Sequence, residues 1–245
     1  MRPTSPASPT ALSDAELAAH IAEGAGQILL GIRHRDLLTG HLAGDVGDAM
    51  AQAWISTVLR RHRGRDAVLS EEAEDVGDRS TASRVWIIDP VDGTSNYAKG
   101  LPMFCVSIAY ADEGKMKLAA AYDPLRDEMF TAEKGMGAWM NGRPIHVSDV
   151  DDLTTSMLVT GFPYDMDQKE NNIEYFIHFV RKAQTVRRLG SAVLDQTYVA
   201  MGRLDGYWES GLSAWDIAAG TLIIEEAGGK VTTLTGAPDY MKPPY

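Results

Sequence analysis

Two aspartates stand three positions apart in the stretch RVWIIDPVDGTSNYAKG, Arg84 to Gly100, directly after the apolar run Val85–Ile88. Such a run, bounded by turn residues, reads as a buried strand. Asp89 and Asp92 are then delivered together to one end of a sheet. Pro90 lacks an N–H, so it ends the ladder and fixes the turn. Gly93 permits an unusual backbone angle or the close approach of a ligand. Two carboxylates held close and partly out of water repel, so one must protonate or a cation must bind. A hard divalent ion with oxygen ligands meets that need, and Mg²⁺ fits. A helix starting at Thr94 or Ser95 would turn free N–H groups toward the same point, where they suit a phosphate. An Asp-rich turn with ordinary N-capping would use the same residues without any chemistry.

Further acidic residues stand where they could join this pair. Glu71 and Glu72 follow the apolar step AVLS and so sit at another strand end, although a solvated turn reads the same way. Asp216 lies in SAWDIAAGTLIIEEAGG, where Trp215, Ile217, Ala218, Leu222 and Ile223 wrap most of a helix. Asp216 is therefore drawn inward near the helix start, or simply caps its first turn. Glu225 and Glu226 read as surface charges. The lone Cys105 sits in the apolar run FCVSIAY and reads as buried filler rather than a nucleophile. His146 and His178 have no carboxylate or cysteine at metal spacing, and no Gly-x-Ser-x-Gly occurs for serine hydrolysis.

The elements that must carry these residues follow from periodicity. Ser13–Ile32 reads as a helix with a Ser13/Glu16 capping box. Asp45–His62 reads as a second helix with basic residues in its last turn. Strand-like runs follow at Val85–Ile88, Cys105–Tyr110, Lys117–Tyr122 and Glu128–Ala132. From about residue 153 strands and helices alternate: SMLVTGF, a helix over Gln168–Lys182, TVRR, a helix over Ser191–Met201, LDGYWES and a helix over Trp215–Ala227. The first half is α+β in character and the second α/β. The spacing predicts a disordered tail over residues 1–12 and two packed lobes, 13–152 and 153–245, with a cleft between them.

The chain of 245 residues is long enough for a sizeable core and carries a formal net charge of −11. That charge argues against nucleic acid or an anionic membrane as the main partner. No apolar run approaches the ~20 residues of a membrane span. One cysteine allows no internal disulfide and fits a reducing, cytoplasmic compartment.

WIIDPVDGTSN together with WDIAAGTLIIEEAGG resembles the inositol monophosphatase family, in a superfamily that also holds fructose bisphosphatases and nucleotide bisphosphate 3′-phosphatases. LSEEA, GAWMNGRPIHVS, TGFPYD and RRLGSAVLD support the resemblance in the family's order, and it covers roughly residues 14 to 235. It implies an α/β (α+β) fold: a layered αβαβα sandwich with an antiparallel and a mixed sheet and the active site between the lobes. It implies two or three Mg²⁺ ions held by Glu71, Asp89, the carbonyl of Val91, Asp92 and Asp216. Glu71 and Thr94 match the pair that orients and activates the attacking water. Asp48, 23 residues before Glu71, matches an aspartate hydrogen-bonded to that threonine. Gly93, Thr94 and Ser95 match the phosphate cradle beside Asp92. Gly190, Ser191 and Ala192 match a substrate-facing turn, and Glu209, seven residues before Asp216, a carboxylate that grips a substrate hydroxyl.

The segment LLTGHLAGDVGD before Asp48 lacks the lysine and Val-Thr pair of many relatives, which bears on loop closure and metal stoichiometry. After EEAGGKVTTLTGAPDYMKPPY relatives usually continue with another strand and helix, so an exposed sheet edge is expected. The implied function is Mg²⁺-dependent hydrolysis of a small polyol phosphate, foremost inositol monophosphate, by a lithium-sensitive, dimeric enzyme. The alternatives are a nucleotide 3′-phosphatase, a histidinol-phosphate or fructose bisphosphate phosphatase, and a non-catalytic metal-binding module.

Overall fold

The computed structural model describes residues 12–34, 40–73, 82–163 and 166–241; of the expected N-terminal tail, residues 1–11 lie outside this set. Two long helices, α1 (Asp14–His34) and α2 (His41–Arg63), come first. Seven strands follow in chain order within one sheet: β1 (Ala67–Ser70), β2 (Arg84–Asp92), β3 (Cys105–Asp112), β4 (Lys115–Asp123), β5 (Glu128–Glu133), β6 (Gly137–Met140) and β7 (Arg143–Ile145). All pairs are antiparallel except β1 with β2. A short helix α3 (Thr94–Lys99) interrupts the passage from β2 to β3.

The second half holds β8 (Met157–Thr160), α4 (Met166–Val180), β9 (Thr185–Arg187), α5 (Ala192–Ala200), β10 (Gly206–Trp208) and α6 (Ala214–Glu226). Its three strands run in the order β10-β8-β9 and are parallel, where a mixed sheet was expected. The sequence reading missed the β6–β7 hairpin. Its strands are only four and three residues long, too short for alternation to register.

Alternation along the large sheet builds two cores. Trp86, Ile88, Val106, Ile108, Leu118 and Ala120 face α1 and α2. Ile87, Cys105, Ala109, Ala119, Ala121 and Phe130 face α5 and α6. Helix α5 also touches the small sheet at β8 and β10, and α4 packs on its strand β9. The result is the layered αβαβα sandwich implied by the resemblance. Among the described residues β10 pairs only with β8, which leaves it at a sheet edge. A cavity of about 1080 Å³ opens beside it, lined in part by Val199, Tyr207, Ile217, Ile224 and Val231. No described helix is long and apolar enough to cross a membrane.

Candidate active site

In a regular strand, residues three apart point to opposite faces. Asp89 and Asp92 escape that rule through a bulge. Asp89 pairs with Ser107 and Asp92 with Cys105, so β2 spends one extra residue between them. The extra residue restores a common face, and that face is the one covered by α5 and α6. Asp216 comes in from the first turn of α6. One carboxylate oxygen from each of Asp89, Asp92 and Asp216 lies within 4.8 Å of the others.

Glu71 joins them by sheet pairing. It follows β1, which runs parallel to β2 with Ser70 opposite Ile88, and its N–H donates to the Ile88 carbonyl at 3.2 Å. The residue is exposed, yet its carboxyl end turns inward to share a hydrogen bond with Asp89, which requires a proton on one of the two.

Each carboxyl has its own scaffold. Asp89 Oδ1 accepts from the Val91 N–H at 2.9 Å. Asp92 Oδ2 accepts from the Ser191 hydroxyl and from the Val193 N–H at 2.9 Å, and Oδ1 from the Ala192 N–H at 3.1 Å. The start of α5 thus clamps Asp92. The Ser191 hydroxyl and the Ala192 N–H, matched by the resemblance to a substrate-facing turn, bond to that aspartate. Asp216 and Ser213 form a capping box, with the Ser213 N–H donating to Asp216 Oδ2 at 2.6 Å.

The electrostatic consequence is uniform. Burial pushes Asp89 well above the usual carboxylate range, and Asp92, Glu71 and Asp216 push it further. Burial raises Asp92 against the opposing bonds from Ser191, Val193 and Ala192. Burial takes Asp216 up to about 7, opposed by the Ser213 N–H and assisted by Asp92 and Glu71. Such a pocket is held only with protons or with hard cations. Its all-oxygen donors suit a hard divalent ion, so the residues present fit a metal.

Thr94 Oγ1 donates to the Val91 carbonyl at 2.9 Å and is also hydrogen-bonded to Asp48. Asp48 reaches it because α2 lies close to α3: a Cβ at Gly47 would stand 2.6 Å from the Tyr97 ring. Burial lifts Asp48 to about 7, with Glu72, Glu71 and Asp45 adding to the rise. Gly93 takes φ +92, and a Cβ there would lie 2.8 Å from the Met103 carbonyl oxygen.

Glu209 follows β10. Its carboxylate accepts from the Tyr207 hydroxyl at 2.8 Å and from the Gly161 backbone, and it occupies the space a Cβ at Gly161 would fill. Burial raises it to about 7. The large cavity beside β10 meets this region at Glu209 and includes none of the three clustered aspartates. Cys105 is fully buried, with Sγ 3.6 Å from Asp92, and its thiol is pushed well up by burial, as filler should be.

Sequence reasoning missed several supporting residues. Buried Asn96 donates to the Met103 and Leu189 carbonyls, both at 2.8 Å, and ties α3 to the loop before α5. It stood inside the quoted DGTSN, where a buried polar residue just inside a helix was a usable signal. Gly161, Tyr207 and Asp195 had no local signal, because their neighbours come from other elements. Glu225 and Glu226, read as plain surface charges, both pair with Lys134, at 2.9 and 3.4 Å.

A layered αβαβα sandwich that gathers buried carboxylates at the end of a central strand, beside a helix start, defines a metal-dependent phosphatase. The sequence profile of the inositol monophosphatase family matches residues 14–244, and the chain belongs to that family. A solved inositol monophosphatase from Anabaena (Nostoc) sp. PCC 7120 is 42% identical with a TM-score of 0.84, covering 91% of this chain and 85% of that one. Inositol-1-monophosphatase of Synechocystis is 42% identical over 200 residues, 80% of this chain and 69% of that protein. Nus factor SuhB of Pseudomonas aeruginosa is 41% identical over 199 residues, 80% of this chain and 73% of that protein.

Proposed function

We propose that the protein is a Mg²⁺-dependent phosphomonoesterase acting on a small polyol phosphate, with inositol monophosphate first among its substrates. The observation that carries this reading is the approach of Asp89, Asp92 and Asp216 to within 4.8 Å, with Glu71 bonded to Asp89. In this reading Glu71, Asp89, Asp92, Asp216 and the Val91 carbonyl hold two or three Mg²⁺ ions. When bound, the metal supplies positive charge that makes water a better nucleophile and steadies the phosphoryl and leaving oxygens.

The protein's own groups do the rest. Thr94 and Glu71 orient the attacking water, and Glu71 takes its proton. Asp48 fixes the Thr94 hydroxyl. The backbone of Gly93, Thr94 and Ser95 cradles the phosphate. Ser191 and Ala192 act through Asp92, and Gly190 shapes the turn beside them. Glu209 accepts hydrogen bonds from substrate hydroxyls. The chain works as two lobes, 13–152 and 153–245, as a homodimer in the cytoplasm, with sensitivity to Li⁺ and no nucleic-acid or membrane partner.

The runner-up is a nucleotide 3′-phosphatase, and a histidinol-phosphate or fructose bisphosphate phosphatase follows it. The Nus factor name of some relatives keeps a non-catalytic role in view. Turnover of p-nitrophenyl phosphate with Mg²⁺, abolished by chelator and restored by Mg²⁺, is the expected result. Chelator-insensitive turnover, or none, would overturn the reading.

A further inference from the structure

Helix α5 is bonded to two of the three clustered aspartates. Its start holds the Asp92 side chain through Ser191, Ala192 and Val193. Further along the same helix, Gln196 Nε2 donates to the backbone carbonyl of Asp216 at 2.8 Å. A carbonyl only accepts, so the amide nitrogen has to be the partner. Gln196 is 1% exposed. Its side chain lies against Gly220, one turn on from Asp216, in the space that a Cβ there would fill. The two helices therefore meet closely where α6 delivers its aspartate.

Packing gives no reason for an amide at this position. Val193, Leu194 and Ala200 of α5 share one apolar core with Ala218, Ala219 and Leu222 of α6. Among the described residues Gln196 Oε1 has no hydrogen-bond partner, and burying half an amide unpaired opposes folding. An apolar side chain of the same size would fill the interface without that cost. What the amide adds is its bond to Asp216. The bonds of Asp216 to Ser213 lie within the start of α6 and move with it. The Gln196 bond reaches across to the helix that clamps Asp92, so one rigid element registers both aspartates.

We propose that Gln196 is a positioning residue for the metal centre: through the Asp216 carbonyl it locks the start of α6 to α5, and so keeps Asp216 in register with Asp92 for a shared divalent ion. This inference rests on the phosphatase reading above and adds to it a residue that touches neither metal nor substrate.

The test titrates the metal-free protein with Mn²⁺, an ion that suits the same oxygen donors as Mg²⁺, by calorimetry. Gln196→Met keeps the volume and removes the donor. It should weaken Mn²⁺ binding roughly tenfold, as loss of a group behind a metal ligand does. Its Tm in chelator should stay within about 4 °C of the wild type, because one hydrogen bond and one unpaired oxygen are lost together. The Mg²⁺ needed for half-maximal turnover of p-nitrophenyl phosphate should rise by the same factor, while kcat at saturating Mg²⁺ and KM for the ester hold within about twofold. Gln196→Leu, which also lacks the donor, should repeat the result. In an Asp216→Asn background Gln196→Met should change Mn²⁺ affinity by less than about twofold, since the ligand it positions is gone; a merely structural effect would persist there. Unchanged Mn²⁺ affinity in Gln196→Met, an equal loss in the Asp216→Asn background, a larger fall of Tm in chelator, or a kcat that saturating Mg²⁺ does not restore overturns the inference. In each of those cases chelator-sensitive turnover by the wild type leaves the phosphatase reading standing, whereas a wild type that binds no Mn²⁺ overturns both.

Discussion

Replacing Asp216 by Asn should stabilise the metal-free protein while abolishing turnover. Asn keeps the local bond, since its Oδ1 can still accept from the Ser213 N–H, which now donates at 2.6 Å. What it removes is a charge the pocket resists. Asp216 is raised from 3.8 to about 7. Each pKa unit corresponds to ~1.4 kcal/mol, so a shift of this size puts the ceiling near about 4 kcal/mol. The penalty is shared with Asp92 and Glu71, and relaxation around the variant lowers it further. About half, ~2 kcal/mol, is the expected net gain, or roughly 4–8 °C in Tm for a chain of this size. The sign follows from the direction of the shift. A raised folded-state pKa gives stability that is complete below about 3.8 and lost as pH climbs through about 7. In chelator the variant should therefore melt above the wild type at pH 8, with the gap shrinking to under half at pH 5. Added Mg²⁺ should reverse the order, because a ligand that binds the native state stabilises it by mass action and the variant lacks one ligand. Calorimetry at the two pH values, with chelator and with Mg²⁺, reads all of this. A variant that melts below the wild type in chelator at pH 8, or a gap independent of pH, would refute the idea that crowded charge governs the pocket.

Two other outcomes test separate parts of the site. Glu209, held at about 7 by burial, should grip substrate hydroxyls better as it ionises. KM should therefore fall as pH rises through about 7; Glu209→Gln should raise KM roughly tenfold and flatten that profile. Gly93→Ala forces a side chain into φ +92 with its Cβ 2.8 Å from the Met103 carbonyl oxygen. It should cost about 2–3 kcal/mol and lower Tm by roughly 5–10 °C, while a change under 2 °C would mean that the turn relaxes freely.

Much of the frame was legible. Apolar runs placed β2, β3, β4 and β5, because strands buried on both faces read as continuous hydrophobic stretches. The 3.6 period placed α1, α5 and α6. Boundaries were weaker: α2 starts at His41 rather than Asp45, since Gly40 provides no side-chain cap to mark the start. The segment before Asp48 that departs from the family pattern is helical from His41, and residues 35–39 lie outside the described set.

By itself the sequence determined which groups could do the chemistry. It set two aspartates at a strand end and a third near a helix start, with a glutamate after another strand, because these are matters of local pattern. Their convergence was decided by tertiary structure. Only the bulge in β2 puts Asp89 and Asp92 on one face, only parallel pairing with β1 brings Glu71 alongside, and only the packing of α5 turns Ser191 and Ala192 onto Asp92. The physical reason is range: periodicity reports which face of its own element a residue takes, whereas the field felt by a buried carboxylate comes from groups tens of residues away along the chain.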